Sequence, residues 1–196
     1  PDERDAVCNR FSQMYLDNAS DFPTETKEVD YCKRMISCYP IHPEVFDRLY
    51  SDWSTLERFQ RTRGVLRLMA SVIHELWIAN DAGALIMPGS LPLGVSNVAY
   101  ELTRYLPDDG NWNAIIDTEV DGTKSTPYKL DKEVSRYGRC MAARRVTRTV
   151  FLGSAPTSRG QNLRGVEASR IRLGVVQPGE TISDFNDALG HLQNRL

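Results

Sequence analysis

The residues of this 196-residue sequence best suited to chemistry lie in one short segment. Gln60, Arg63, Arg67, Ser71 and His74 recur at spacings of three and four, so on a helix they line one face. A guanidinium presents a planar fork of donors that matches a carboxylate or a pair of phosphate oxygens. The strip is therefore either a surface row paired with Glu57 and Glu75 or a phosphate-binding edge. Gly64 lies beside it. A glycine inside a helix costs about 1 kcal/mol relative to alanine. No turn needs one here, so Gly64 implies the close approach of a ligand or another backbone.

A second cationic feature is spread more widely. Residues 132–172 hold ten Lys/Arg against Glu133 and Glu167, a local charge of +8, while residues 1–60 hold twelve Asp/Glu against seven Lys/Arg. A basic stretch of that size attracts nucleic acid or nucleotide phosphates, unless it pairs with the acidic first third. Arg136, Arg139, Arg144, Arg145 and Arg148 are its candidate nucleic-acid contacts.

The elements that must position these groups are helical. Residues 3–18 carry Val7, Phe11, Met14 and Tyr15 at helical spacing, and a second helix is expected near 26–38. Tyr39-Pro40-Ile41-His42-Pro43 breaks it, and Pro43 suits the first position of a short helix over 43–51. Ser54-Thr55-Leu56-Glu57 matches a capping box, which predicts a long helix from 54 to about 79. Its apolar residues Phe59, Leu66, Met69, Val72, Ile73, Leu76 and Trp77 form the expected buried stripe. Further helices are expected over 96–106, 131–152, 165–176 and 182–195, and the polar span 107–131, with its one apolar patch at Ile115-Ile116, is expected to be a surface excursion that could hold one helical turn. The fold class is mainly α, with little strand signal.

Composition bounds the rest. With 41% apolar and 26% charged residues the chain has the make-up of a folded soluble protein. No apolar run reaches the roughly 18–20 residues of a membrane helix, and the opening PDERDAVCNRF is too charged for a signal peptide. The absent initiator methionine suggests a processed chain or a piece of a longer one. Cys8, Cys32, Cys38 and Cys140 show no metal-ligand spacing with His42, His74 or His191, so no metal site is expected. Reduced thiols in a cytoplasmic protein are the expectation. Cys38 and His42 are near in sequence only, Ser154 lacks the second glycine of a nucleophile elbow, and His74, Trp53 and Tyr50 suit structural roles.

The runs Tyr39-Pro40-Ile41-His42-Pro43-Glu44-Val45-Phe46-Asp47-Arg48-Leu49-Tyr50 and Phe59-Gln60-Arg61-Thr62-Arg63-Gly64-Val65-Leu66-Arg67-Leu68-Met69 carry a resemblance. It extends through Phe151–Pro156 to Arg170–Gly174. The sequence resembles a large family of AAA+-type ATPases of bacteria and archaea, catalogued as domain of unknown function 499. In AAA+ proteins a Gly-x-x-Arg on a lid helix is the second sensor, whose arginine reaches the γ-phosphate. Gly64-Val65-Leu66-Arg67 is similar to it, which implies Arg67 in that role. Arg61 and Arg63 are implied as a second phosphate contact or as arginines aimed at a neighbouring subunit of a homo-oligomer.

Gly122-Thr123-Lys124-Ser125-Thr126 lacks the glycines of a P-loop, and no apolar strand ends in acids fit to hold magnesium. The resemblance therefore implies that ATP and its Mg²⁺ are held by an upstream P-loop core, and that this chain has no activity alone. It implies a helical lid-like region over 1–106, a surface excursion over 107–130 and a basic helical region over 131–196. In the last, the pair 165–176 and 182–195 could form a helix-turn-helix of winged-helix type and contact DNA. A non-catalytic helical scaffold for assembly is the third expectation.

Overall fold

A computed structural model of the chain describes residues 2–59, 61–107, 110–156 and 165–195; of Arg61 it describes the backbone alone. The first helix forms where the apolar periodicity places it. α1 (Asp2–Asp17) carries Asp2, Glu3 and Asp5 in its first turn, complementing the helix dipole, and buries Cys8, Phe11 and Tyr15. A 3₁₀ turn (Thr24–Lys27) leads into α2 (Val29–Cys38), which buries Tyr31 and Met35. α3 (Pro43–Ser51) opens with Pro43 in its first turn, where a missing N–H costs nothing.

α4 (Arg61–Ile78) begins later than the capping box predicts. Trp53–Thr55 forms a 3₁₀ turn, the Ser54 hydroxyl donates to the Tyr50 carbonyl, and the Trp53 indole donates to the Leu152 carbonyl at 2.8 Å. Burying the Trp53 ring sets the chain direction there, and the local cap is given up.

After α4, a 3₁₀ turn (Pro88–Ser90) and α5 (Ser96–Thr103) follow. The segment before that turn is pinned by a parallel bridge between Ile41 and Ile86. Its two hydrogen bonds are His42 N to Ile86 O and Ile86 N to Pro40 O, both at 2.9 Å. The polar span after residue 106 is more ordered than its composition suggests. It holds α6 (Trp112–Ile115), a π-helical turn (Ile116–Val120) and the start of α7 (Thr126–Glu133), with Ile116 and Val120 buried.

The single basic helix expected over 131–152 is three pieces: α7, α8 (Ser135–Gly138) and α9 (Ala142–Ser154). Val134 is extended and Met141, which precedes α9, has φ of 54°. The first N–H groups of α9 are satisfied from outside the local sequence: Asp131 accepts from Ala143 N at 2.9 Å and from Arg144 N at 3.3 Å. α10 (Ala168–Val175) and α11 (Ile182–Gln193) close the described chain.

The architecture is mainly helical, with eleven α-helices and no strand among the described residues. Two apolar cores are built on a shared element, α9. One core joins Phe11, Tyr15, Met35, Tyr137, Leu173 and Phe185 with Val146 of α9. The other joins Leu49, Trp53, Phe59, Leu68, Val72 and Leu102 with Phe151 and Leu152 of α9. The packing thus runs across the divisions expected at 106 and 130, because α1 and α2 share a core with α8 to α11. The Pro88–Ser90 turn lies tight against α9 and α10: a Cβ on Gly89 would sit 2.9 Å from Arg145 Cβ and 3.1 Å from the Gly174 carbonyl oxygen. Among the described residues, no helix is long and apolar enough to cross a membrane.

Candidate functional site

α4 carries the arginine strip. Arg63 and Arg67 are both exposed, and neither has a carboxylate partner among the described residues. His74 is exposed and Ser71 half-buried, while Gln60 and the Arg61 side chain lie outside the described residues. No acid stands in the first turn of α4. Cations there oppose the helix dipole, at about 0.3–1 kcal/mol each at an exposed site. The N-terminal half of α4 therefore presents positive charge that nothing in the described chain offsets.

Gly64 packs against the ring of Phe59. It is buried, and a Cβ on it would lie 3.0 Å from Phe59 Cε2 and 3.2 Å from two further ring atoms. The close approach that the sequence implied is that of the Phe59 ring.

The apolar residues of α4 do not form one buried stripe. Val65, Leu68, Met69 and Val72 enter the core. Leu66 is 66% exposed, Ile73 45% and Trp77 83%. Their exposure was hidden from the sequence, since apolarity records a preference for burial and not which side of a helix has a neighbour.

The basic stretch is largely neutralised from within. Arg136 pairs with Asp187 at 2.7 Å and Asp184 at 3.2 Å, Arg144 with Asp131 at 3.0 Å, and Arg145 with Glu180 at 2.7 Å. Arg148 reaches Asp121 at 2.8 Å and donates to the Gly89 carbonyl at 3.2 Å. Arg139 is the member of the five that is exposed without such a partner among the described residues. Further along, Arg170 pairs with Glu25 and Glu44, and Arg172 donates to the Asp21 carbonyl at 2.5 Å. The acidic first third supplies only these last partners; the others come from 121–131 and 180–187. α11, the second helix of the expected helix-turn-helix, spends Asp184 and Asp187 on Arg136 and packs Phe185, Ala188 and Leu192 inward.

The Tyr39–Tyr50 run is an internal joint. His42 is fully buried; its Nδ1 accepts from Glu44 N at 3.2 Å, so Nε2 carries the proton and donates to the Tyr15 hydroxyl at 2.9 Å. Burial pushes the His42 imidazolium down to about 3 and the Tyr15 phenol well above its ordinary value. Glu44, 1% exposed, contacts Arg48 at 3.1 Å and Arg170 at 3.0 Å, yet burial still raises its carboxyl to about 7. Both ring nitrogens of His42 are engaged, so it cannot serve Cys38 as a base. Here sequence reasoning missed a role: His42 and Glu44 tie α3 to α1 and α10, and the spacing of His42 before Pro43 was the signal that could have shown the cap.

A cavity of about 500 Å³ opens between the π-helical turn, α9 and α11, lined by Trp112, Ile115, Val150, Phe151 and Leu189 with Glu119 at its side. The hydroxyl of Thr147, also on its wall, is taken by the Val120 carbonyl at 2.6 Å.

The site is thus an exposed guanidinium strip, unpaired among the described residues, on a helix whose other face anchors a mainly helical domain. The model of the family described as DUF499 second domain matches residues 3–185, and the chain belongs to that family. No curated protein matches the chain. No solved structure does either.

Proposed function

We propose that this domain is the nucleotide-responsive lid of a larger ATPase, with Arg67, and Arg63 one turn before it, directed at the phosphates of ATP held with Mg²⁺ by a P-loop core in another segment. The observation that carries the reading is the contrast among the arginines. Four of the five candidates on the basic stretch are clasped by carboxylates, whereas Arg63 and Arg67 stand exposed on the cationic half of α4 with no carboxylate partner among the described residues. A forked cation suits a phosphate, and the family description, a second domain, is in keeping with a partner domain in the same polypeptide.

On this reading the γ-phosphate contact exists with ATP and vanishes with ADP, so the lid changes its angle on hydrolysis. The chain alone leaves ATP unhydrolysed. Arg67→Ala in the protein that joins this domain to its P-loop core is expected to lower kcat by at least about tenfold while helical content and unfolding midpoint hold. Unchanged turnover in Arg67→Ala and Arg63→Ala alike overturns the reading. Among the described residues the nucleic-acid alternative is left with Arg139 as the one unclasped member of its five candidate arginines, and no observation favours it further.

A further inference from the structure

A different feature of α4 points to a partner. Leu66, Ala70, Ile73 and Trp77 are all exposed, and their 4-3-4 spacing is that of a coiled-coil seam. At 100° per residue they fall within about 60° of arc, over roughly 16 Å of helix. Arg67 and His74 each follow a seam residue and form one edge of the stripe, and Arg63 stands in the seam one turn before Leu66. The opposite edge, Met69 and Leu76, leans into the core. No carboxylate lies on the exposed arc of α4 among the described residues; Glu75 is half-buried on the far side of the helix.

We propose that this face docks an amphipathic helix of a partner protein, about three to four turns long, whose apolar seam is bordered by Asp or Glu. Charge selects the occupant. A second copy of the chain would bring no acid in either orientation: antiparallel packing sets the Arg67–His74 edge against itself, and parallel packing sets it against Met69 and Leu76. An acidic border meets both arginines, relieves the charge at the N-terminal half of α4 and covers Trp77. The proposal stands without the lid reading. Where both hold, partner and triphosphate alternate at Arg67.

The probes are two synthetic helical peptides with the same 4-3-4 leucine seam, one bordered by Glu and one by Lys. Trp77 is 83% exposed, Trp53 fully buried and Trp112 half-buried, so docking is read as the part of the emission blue shift that is lost in Trp77→Phe. The Glu peptide is expected to bind at least about tenfold more tightly than the Lys peptide. Arg63→Glu/Arg67→Glu should reverse that order, and Ile73→Ser should abolish binding with helical content unchanged. Equal binding of the two peptides, no binding of the Glu peptide at millimolar concentration, or binding that survives Ile73→Ser overturns the proposal. Self-association of the chain that is lost in Trp77→Ala overturns it too, by showing that a second copy covers the face. The wild-type comparison decides even if the double variant fails to fold.

Discussion

The guanidinium of Arg148 lies 2.8 Å from the carboxylate of Asp121, and the two side chains are 8% and 2% exposed. The pair joins α9 to the end of the π-helical turn, where Asp121 also accepts from Gly94 N at 2.6 Å. A buried pair adds little net stability over apolar packing, but breaking it leaves one charge stranded. Arg148→Met is therefore expected to cost about 3–5 kcal/mol, measured by urea unfolding. Arg148→Met combined with Asp121→Leu should cost less than the single change, because neither charge is then left alone. A loss in the double variant equal to the sum of the two singles would show that the pair is not the coupling.

Arg145 holds a loop rather than a ligand. Its Nη1 reaches both Glu180 oxygens, at 2.7 and 2.9 Å, and Glu180 in turn accepts from Gln177 N at 2.8 Å. These contacts close the turn between α10 and α11. Arg145→Ala is expected to lower stability by about 1.5–3 kcal/mol, the range for bonds to a charged group. It should leave DNA retention unchanged in gel-shift titrations at two salt concentrations. A drop in DNA affinity with stability unchanged would return Arg145 to the nucleic-acid role that its sequence setting suggested.

The helices that the sequence showed clearly are those whose instructions are local. α1 follows from apolar spacing, α3 from Pro43 in its first turn and α11 from the Pro178-Gly179 turn just before it. What stayed hidden depends on groups far along the chain. The start of α9 is capped by Asp131, twelve residues before Ala143, and the Arg170–Glu44 contact spans 126 residues. A run of arginines shows its charge in the sequence, but not whether acids fold back onto it. Arg67 and Arg145 look alike there; only the packing separates the free one from the clasped one. Likewise the candidate strip was legible from its spacing, whereas the exposure of Leu66, Ile73 and Trp77 beside it was not.

Gly64 offers a test of packing against ligand approach. Alanine in a helix gains about 1 kcal/mol over glycine if nothing is in the way. Here the new methyl meets the Phe59 ring at 3.0 Å, and that ring is held by Tyr105 at 5.0 Å, centroid to centroid, and by Trp53 at 6.3 Å. The ring has little room to yield, and overpacking typically costs about 1–3 kcal/mol. Gly64→Ala is expected to lower the thermal midpoint of the chain. A raised midpoint would mean that Phe59 moves freely and that the glycine is kept for something outside the fold.

His42 makes stability depend on pH with a sign that can be worked out. Burial holds its imidazolium down to about 3, against about 6.5 in an unfolded chain. Between those values the unfolded state binds a proton that the folded state refuses. The contribution of His42 is therefore complete above pH ~6.5 and is lost as pH falls toward 3, at up to about 1.4 kcal/mol per pH unit. His42→Asn keeps an acceptor for Glu44 N and removes the titration. The stability difference between wild type and His42→Asn should accordingly shrink as pH is lowered through this window. Glu44 works in the opposite direction. Its carboxyl, raised to about 7, keeps a proton that the unfolded chain gives up above about 4.3, so its contribution falls as pH rises toward 7. Glu44→Gln should remove that decline and leave the His42 slope in place. A His42→Asn difference that grows on acidification would mean that the folded protein protonates His42, and that the Tyr15–His42 joint is open to water.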